Sequence, residues 1–169
     1  MNSNSYGDAN TDVFICCTEV NAQGNPTIDN MMAQNLYFRL KSQNINVFYS
    51  SQSLKGCPYS EYDERVEDAI ETAKIIIITG TRREHFRNML NCYGDLFKNK
   101  AVLPVYSSMS EYDIERIPEM FPAINYDAPG ALGKIINDVL GVLNLLNSRE
   151  GKPTPTHTKV KKTNFKFIM

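Results

Sequence analysis

The chain of 169 residues has no tryptophan and only two histidines. Its four cysteines, Cys16, Cys17, Cys57 and Cys92, form no C-x-x-C pair. Zinc sites and secreted disulfide frameworks need a different ligand spacing, so reduced thiols and no bound metal are expected. Neither a G-x-G-x-x-G run nor a Walker A loop is present, which excludes the backbone cradles that most dinucleotide and triphosphate folds use. The formal net charge is only −1, so no duplex-binding surface or polybasic membrane patch is indicated, and nucleic acid is not an expected partner. No apolar run approaches the ~20 residues of a membrane span. The polar start MNSNSYGDANT holds no apolar signal segment. The expectation is a soluble, cytoplasmic protein with no membrane partner.

Hydrophobic residues make up 42% of the chain, enough for one ordinary core. DVFICC (12–17) is a short, continuously apolar stretch, as expected of a strand covered on both faces. Thr27 is placed to cap a helix reaching about Ser42, with Ile28, Met32, Leu36 and Leu40 as its stripe. NVFYS (46–50) is the second strand. KIIIIT (74–79) is the third, and its run of β-branched residues predicts an interior position in a parallel sheet. In AVLPVY (101–106), Pro104 removes a ladder donor and argues for a place near the sheet edge. A short fifth strand near PAINY (122–126) precedes a helix from about Pro129 to Asn147. Strands alternating with helices imply right-handed crossovers and a three-layer α/β domain, with the first strand between the second and third. Residues 1–11 are expected to be disordered, 12–147 to form the domain, and 148–169, with spaced prolines and five lysines, to be a flexible basic tail or linker. A phosphate-receiving regulator would need an aspartate ending the third strand, and this chain has Thr79 and Gly80 there.

Several stretches, in order, resemble the Toll/interleukin-1 receptor (TIR) domain family, its bacterial members in particular. TDVFICCTE is similar to the family's opening strand. VFYSSQSLKGCPYSEYDERVEDAIETAKIIIITGT is similar to its second strand, mobile loop, second helix and third strand. AVLPVYSSMSEYDIERIP and FPAINYD are similar to the last two strands and their connectors. The resemblance spans Asp12 to Asn147. It implies a flavodoxin-like, five-stranded parallel sheet of order 2-1-3-4-5. It further implies an NAD glycohydrolase or cyclase that releases nicotinamide and gives ADP-ribose or a cyclic isomer, in bacterial defence signalling. NAD is then the substrate, and no separate cofactor is required. The alternative is a non-catalytic module, adaptor or inhibitor, that assembles with other TIR domains. Self-association through the 50–60 loop is expected with either. A deoxyribosyltransferase-like enzyme with a carboxylate nucleophile is a third, more distant reading.

The resemblance implies a catalytic carboxylate, and counting back from Ile70 in YDERVEDAI assigns it to Asp63, an aspartate where the family pattern has glutamate. At about 100° per residue, Tyr62, Val66, Ala69, Ile70 and Ala73 form the apolar stripe of this helix and Asp63 borders it. The competing reading is structural: Ser60 to Asp63 has the form of a capping box. Cys16, Cys17, Ser50, Ser51, Tyr62 and Arg82 are candidate substrate contacts, and Arg82 with Arg83 stands where a diphosphate could be met. For each the ordinary alternative is core packing or a solvated surface. Tyr93 and Phe97 could stack on a base in place of the family's tryptophan, or belong to the core.

Overall fold

The computed structural model describes residues 10–17, 23–80, 83–109, 117 and 120–150, with the backbone alone for 83, 85 and 148–150. Residues 1–9, the segment beyond 150 and Arg82 lie outside the described residues, and so do the expectations attached to them.

Five strands form one parallel sheet: β1 (Val13–Cys17), β2 (Val47–Tyr49), β3 (Ile75–Thr79), β4 (Ala101–Tyr106) and β5 (Ile124–Asn125). Their spatial order is β2-β1-β3-β4-β5, the flavodoxin-like arrangement. The helices are α1 (Ile28–Lys41), a single turn α2 (Ser50–Ser53), α3 (Tyr62–Thr72), α4 (Arg83–Phe97) and α5 (Ala131–Glu150). The register aligns Ile75 to Thr79 with Val13 to Cys17 on one side and with Ala101 to Val105 on the other. All five β3 residues are buried, which is what a strand paired on both edges and covered on both faces requires.

Alternation along the strands divides the interior in two. Val13, Ile15, Cys17, Tyr49, Ile75 and Ile77 point toward α1 and α5, meeting Leu36, Leu40, Ile135 and Val139. Phe14, Cys16, Phe48, Ile76 and Ile78 point the other way, toward Ala69 and Ile70 of α3 and Phe86 and Phe97 of α4. Phe14 and Phe48 are ladder partners, and their rings stack with centroids 5.4 Å apart. Phe97 is therefore core and not a stacking surface for a ligand.

The local signals explain the element ends. Thr27 caps α1, its Oγ1 accepting from the Asn30 N–H at 3.0 Å, and Arg39 and Lys41 sit in the last turn where cations favour the helix dipole. Asn44 and Asn99, which follow α1 and α4, adopt φ of 63° and 69°, a region asparagine tolerates better than most residues. At β4 the Ala101 N–H donates to Lys74 O at 3.2 Å and Val105 O accepts from the Gly80 N–H at 2.8 Å. The odd-numbered residues of β4 thus bond to β3, and Pro104 faces the outer flank, between the Val102–Met120 bridge and the β5 pairing that starts at Val105. The missing donor costs no ladder bond, and the position near the edge is as expected. Thr11 is buried, and its N–H donates to Thr72 Oγ1 at 3.0 Å.

Deleting part of the central strand should expose how much it contributes. Ile77 is fully buried, and Ile77→Ala should cost about 2–5 kcal/mol in urea unfolding, through lost transfer energy and a cavity. Met31→Ala, at an exposed site, should stay within about 0.5 kcal/mol.

Candidate functional site

In open parallel sheets ligands bind beyond the carboxyl ends of the strands. Here the end of β2 runs straight into α2: Ser53 Oγ accepts from the Tyr49 N–H at 3.0 Å, and the Leu54 N–H donates to Ser50 O at 3.1 Å. The segment expected as a mobile loop therefore starts with a helical turn, which period counting over four residues cannot detect. Leu54 and Cys57 then turn inward and are buried against Phe48 and Ile70, while Lys55 and Gly56 between them are exposed. Gly56 has φ of 81°, a backbone state open to glycine and strained for most other residues. A 3-10 turn over Tyr59–Glu61 leads into α3.

An open cleft of about 530 Å³ lies between this loop and α3. Ser50 and Ser51 form one wall, Leu54, Lys55 and Gly56 the rim, and Tyr62, Asp63 and Val66 the wall on α3. Four of the residues singled out from sequence, Ser50, Ser51, Tyr62 and Asp63, thus share one cavity. Asp63 is exposed, and among the described residues no hydrogen bond holds its carboxylate. Burial pushes the Tyr93 phenol of α4 up, with the negative charge of Asp63 adding to the shift. Lys55, in the SLKG loop, supplies a cation on the rim. Exposure and the neighbouring glycine are visible in SLKG, but its position across the cleft from Asp63 comes from the tertiary fold.

The capping box does not form. The residue before α3 is Glu61, no side chain caps that helix start, and Ser60 lies within the 3-10 turn. Glu61 instead pairs with Arg65 at 3.2 Å, one helical turn on. Asp63 keeps its favourable location in the first turn, near the positive end of the helix dipole.

Cys16 and Cys17 are buried and do not line the cleft. Strand alternation sends Cys16 into the α3–α4 core and Cys17 to the opposite face of the sheet. There the Cys17 Sγ lies 3.2 Å from the Tyr49 hydroxyl. That hydroxyl donates to Asn30 Oδ1 in the first turn of α1. The Thr79 Oγ1 is 3.5 Å from both Cys16 O and Asp29 O, and Asp29 is 3% exposed. A second polar cluster therefore lies inside the sheet's carboxyl end, around the switch between β1 and β3. It includes the buried acid Asp29, whose only sequence signal was an acidic residue just after a helix cap.

At the far end of the same edge, Asp127 Oδ2 accepts from the Ser108 N–H at 2.8 Å and from the Ser107 hydroxyl at 3.3 Å. These donors, the Ser108 backbone foremost, hold the Asp127 carboxyl below the usual carboxylate range. Among the described residues no group of three histidine, cysteine or acidic side chains could hold a metal ion, and no helix is long and apolar enough to cross a membrane. No family model and no curated protein matches this chain.

Chemically, the cleft offers a carboxylate, an ammonium, two hydroxyls and an aromatic face. That set can grip sugar hydroxyls, meet a phosphate and stabilise a developing cation. Two stability measurements follow from the hydrogen bonds. Asp63→Ala should lower unfolding free energy by less than about 1 kcal/mol, because only the helix-dipole contribution is removed; a larger loss in urea titration would show that the carboxylate is a structural cap. Asp127 has a depressed folded pKa, so its contribution is present above the ordinary aspartate pKa and fades as pH falls through the folded value. Wild type should then lose more stability than Asp127→Asn between pH 5 and pH 2, measured by thermal melting across about that range.

Proposed function

We propose that this chain is a bacterial-type TIR domain that hydrolyses or cyclises NAD at the nicotinamide–ribose bond. The observation that carries the reading is the gathering of Asp63, Ser50, Ser51 and Tyr62 around one cleft beyond β2. Departure of nicotinamide leaves an oxocarbenium-like centre at the ribose, as in glycoside cleavage. The Asp63 carboxylate stabilises that charge or holds the ribose hydroxyls while water, or the adenine ring in cyclisation, attacks from the vacated side. With water the balance is NAD plus water to nicotinamide, ADP-ribose and a proton. Nicotinamide leaves as a neutral group from a cationic ring, so no strong general acid is needed. The reading carries a cytoplasmic location and a role in defence signalling with it.

A specific observation favours the second reading, a non-catalytic module that assembles with other TIR domains. The Asp63 carboxylate is exposed and unheld, and its side chain is roughly 1.5 Å shorter than glutamate's. A displacement of about 1 Å can cost on the order of a hundredfold in rate. Assembly reconciles the two: the 50–60 loop presents Lys55, Gly56 and an 84%-exposed Tyr59 beside the cleft, where a neighbouring domain would close the open side and fix the carboxylate.

The test is nicotinamide release from NAD, followed by chromatography. Specific activity should rise with protein concentration, fall by about 10²–10³ in Asp63→Ala, and rise in Asp63→Glu as the longer side chain reaches further. Tyr59→Ala should weaken the concentration dependence. If nicotinamide release is absent from micromolar to near-millimolar protein, in wild type and in Asp63→Glu alike, the enzymatic reading is lost and the module reading stands.

A further inference from the structure

We propose that the lysines of the segment after Glu150 dock on the outward face of α3, so that the chain covers its own acidic helix. This contact needs nothing from the chemistry proposed for the cleft. Ala69 and Ile70 of α3 are buried, and Tyr62 and Val66 pack beside them. Opposite that stripe stand Glu64, Glu67, Asp68 and Glu71, all exposed. Three and four residues apart, Glu64 neighbours Glu67 and Asp68, and Glu71 neighbours both of those. Like charges at this spacing destabilise a helix, and acids near its C-terminus also oppose the dipole. The last turn of α3 has no basic residue of its own. Of the cations nearby, Arg65 pairs with Glu61 at 3.2 Å and Lys74 with Asp12 at 3.5 Å. Lys100 donates to the Glu71 and Ala73 carbonyls. Among the described residues no ion pair joins any of the four outward carboxylates.

The complementary charge lies in the same chain. Residues 151–169 hold Lys152, Lys159, Lys161, Lys162 and Lys166 and no acidic residue. The formal −1 of the whole chain therefore divides into +5 for this segment and −6 for the rest. Six of the nineteen acidic residues fall within 61–71, which makes α3 the densest negative face for that segment to meet. The topology brings the two together. α3 ends at the amino edge of the sheet, where the Thr11 N–H donates to Thr72 Oγ1. α5 reaches the same edge on the other face: Val139 and Val142 line a small apolar hollow with Ile75 and Ala101, the first residues of β3 and β4. The chain therefore leaves α5 at the edge where α3 ends. Crossing from one helix layer to the other takes two helix diameters, roughly 20 Å. Residues 151–158 can span up to about 26 Å, which puts Lys159, Lys161 and Lys162 within reach of Glu71 and Asp68. From Lys159 to Lys166 the chain can cover a further ~23 Å, more than the ~16 Å length of α3, so Lys166 can reach Glu64.

The experiment treats the dilute full chain at low salt with a carbodiimide, which joins an amine to a carboxylate without a spacer. The linked peptides are then mapped by mass spectrometry. Lys159, Lys161 and Lys162 should link to the α3 acids at least about fivefold more often than to the exposed Asp95 and Glu84, as several surface pairs acting together imply. In 1 M salt, where the screening length is about 3 Å, the preference should vanish. Hydrogen exchange supplies a second measurement. Lys159→Glu, Lys161→Glu and Lys162→Glu together should speed exchange of amides in the last turn of α3, and adding Asp68→Lys with Glu71→Lys should restore their protection. Links spread evenly over exposed carboxylates, or exchange that the lysine substitutions leave unchanged, would overturn the docking. A mixture of isotopically labelled and unlabelled chain identifies the occupant: links within one label support it, and links that join the two labels would place the lysines on a second copy and overturn docking within one chain.

Discussion

Everything in this fold depends on β3 having no polar face. Ile75 to Ile78 offer four large β-branched side chains alternately to both sides of the sheet, and each contributes about 1.5–3 kcal/mol when buried. One layer of helices would leave half of that surface in water. The chain therefore needs helices on both faces, and right-handed crossovers from a parallel sheet supply them, α1 and α5 on one side and α3 and α4 on the other. Two separate cores follow from that one strand, as does a sheet whose carboxyl ends are the natural place for polar groups.

The two cores treat those polar groups differently. On the α1 side, the Tyr49 hydroxyl donates to Asn30 Oδ1 and lies 3.2 Å from the Cys17 sulfur, while the Thr79 hydroxyl donates to the Cys16 and Asp29 carbonyls. Cys17 is buried in the core on that face and does not line the cleft, so it packs there. On the α3 side, β2 ends at the sheet edge, α2 is one turn long, and the chain leaves a cleft before α3 begins. The side with the shorter elements is the side with space for a ligand. In the proposed function, binding energy would have to come from Lys55, the hydroxyls and a neighbour, because no glycine-rich backbone cradle is present.

Legibility in the sequence divided along physical lines. The interior place of the isoleucine run, the Thr27 cap and the place of Pro104 near the edge were readable, because each depends on local chemistry or on a face periodicity that burial enforces, whereas the full strand order was what the resemblance implied. The capping box failed for a reason equally physical. Ser60 to Asp63 has the pattern, but Pro58 and the buried Cys57 start a 3-10 turn that carries Ser60 past the capping position. Ser50, Ser51, Tyr62 and Asp63, singled out from the resemblance and the helix stripe, line one cleft, while Cys16 and Cys17 take the alternative given for them, core packing. In a strand buried on both sides, alternation sends adjacent residues to opposite cores, and neither has to border the cavity at the strand's end. Asp29 and Lys55 carried no periodic signal at all, since their roles arise from what tertiary packing brings beside them.

Helix α3 runs from the cleft to a polar contact at its far end. It is 11 residues long, about 16 Å at 1.5 Å per residue, with Asp63 in its first turn and the carbonyls held by Lys100 at its end. Ala69 and Ile70 are buried within it, and Tyr62 and Val66 toward its start and Ala73 at its end continue the same apolar packing. At the start the Glu61–Arg65 pair is partly exposed, and such pairs contribute about 0–1 kcal/mol. At the end Lys100 binds two carbonyls in a half-buried setting, where charge-assisted bonds count for more than neutral ones. The better-held end is thus the one away from the cleft. The carboxylate lining the cleft is carried by the other end of that helix.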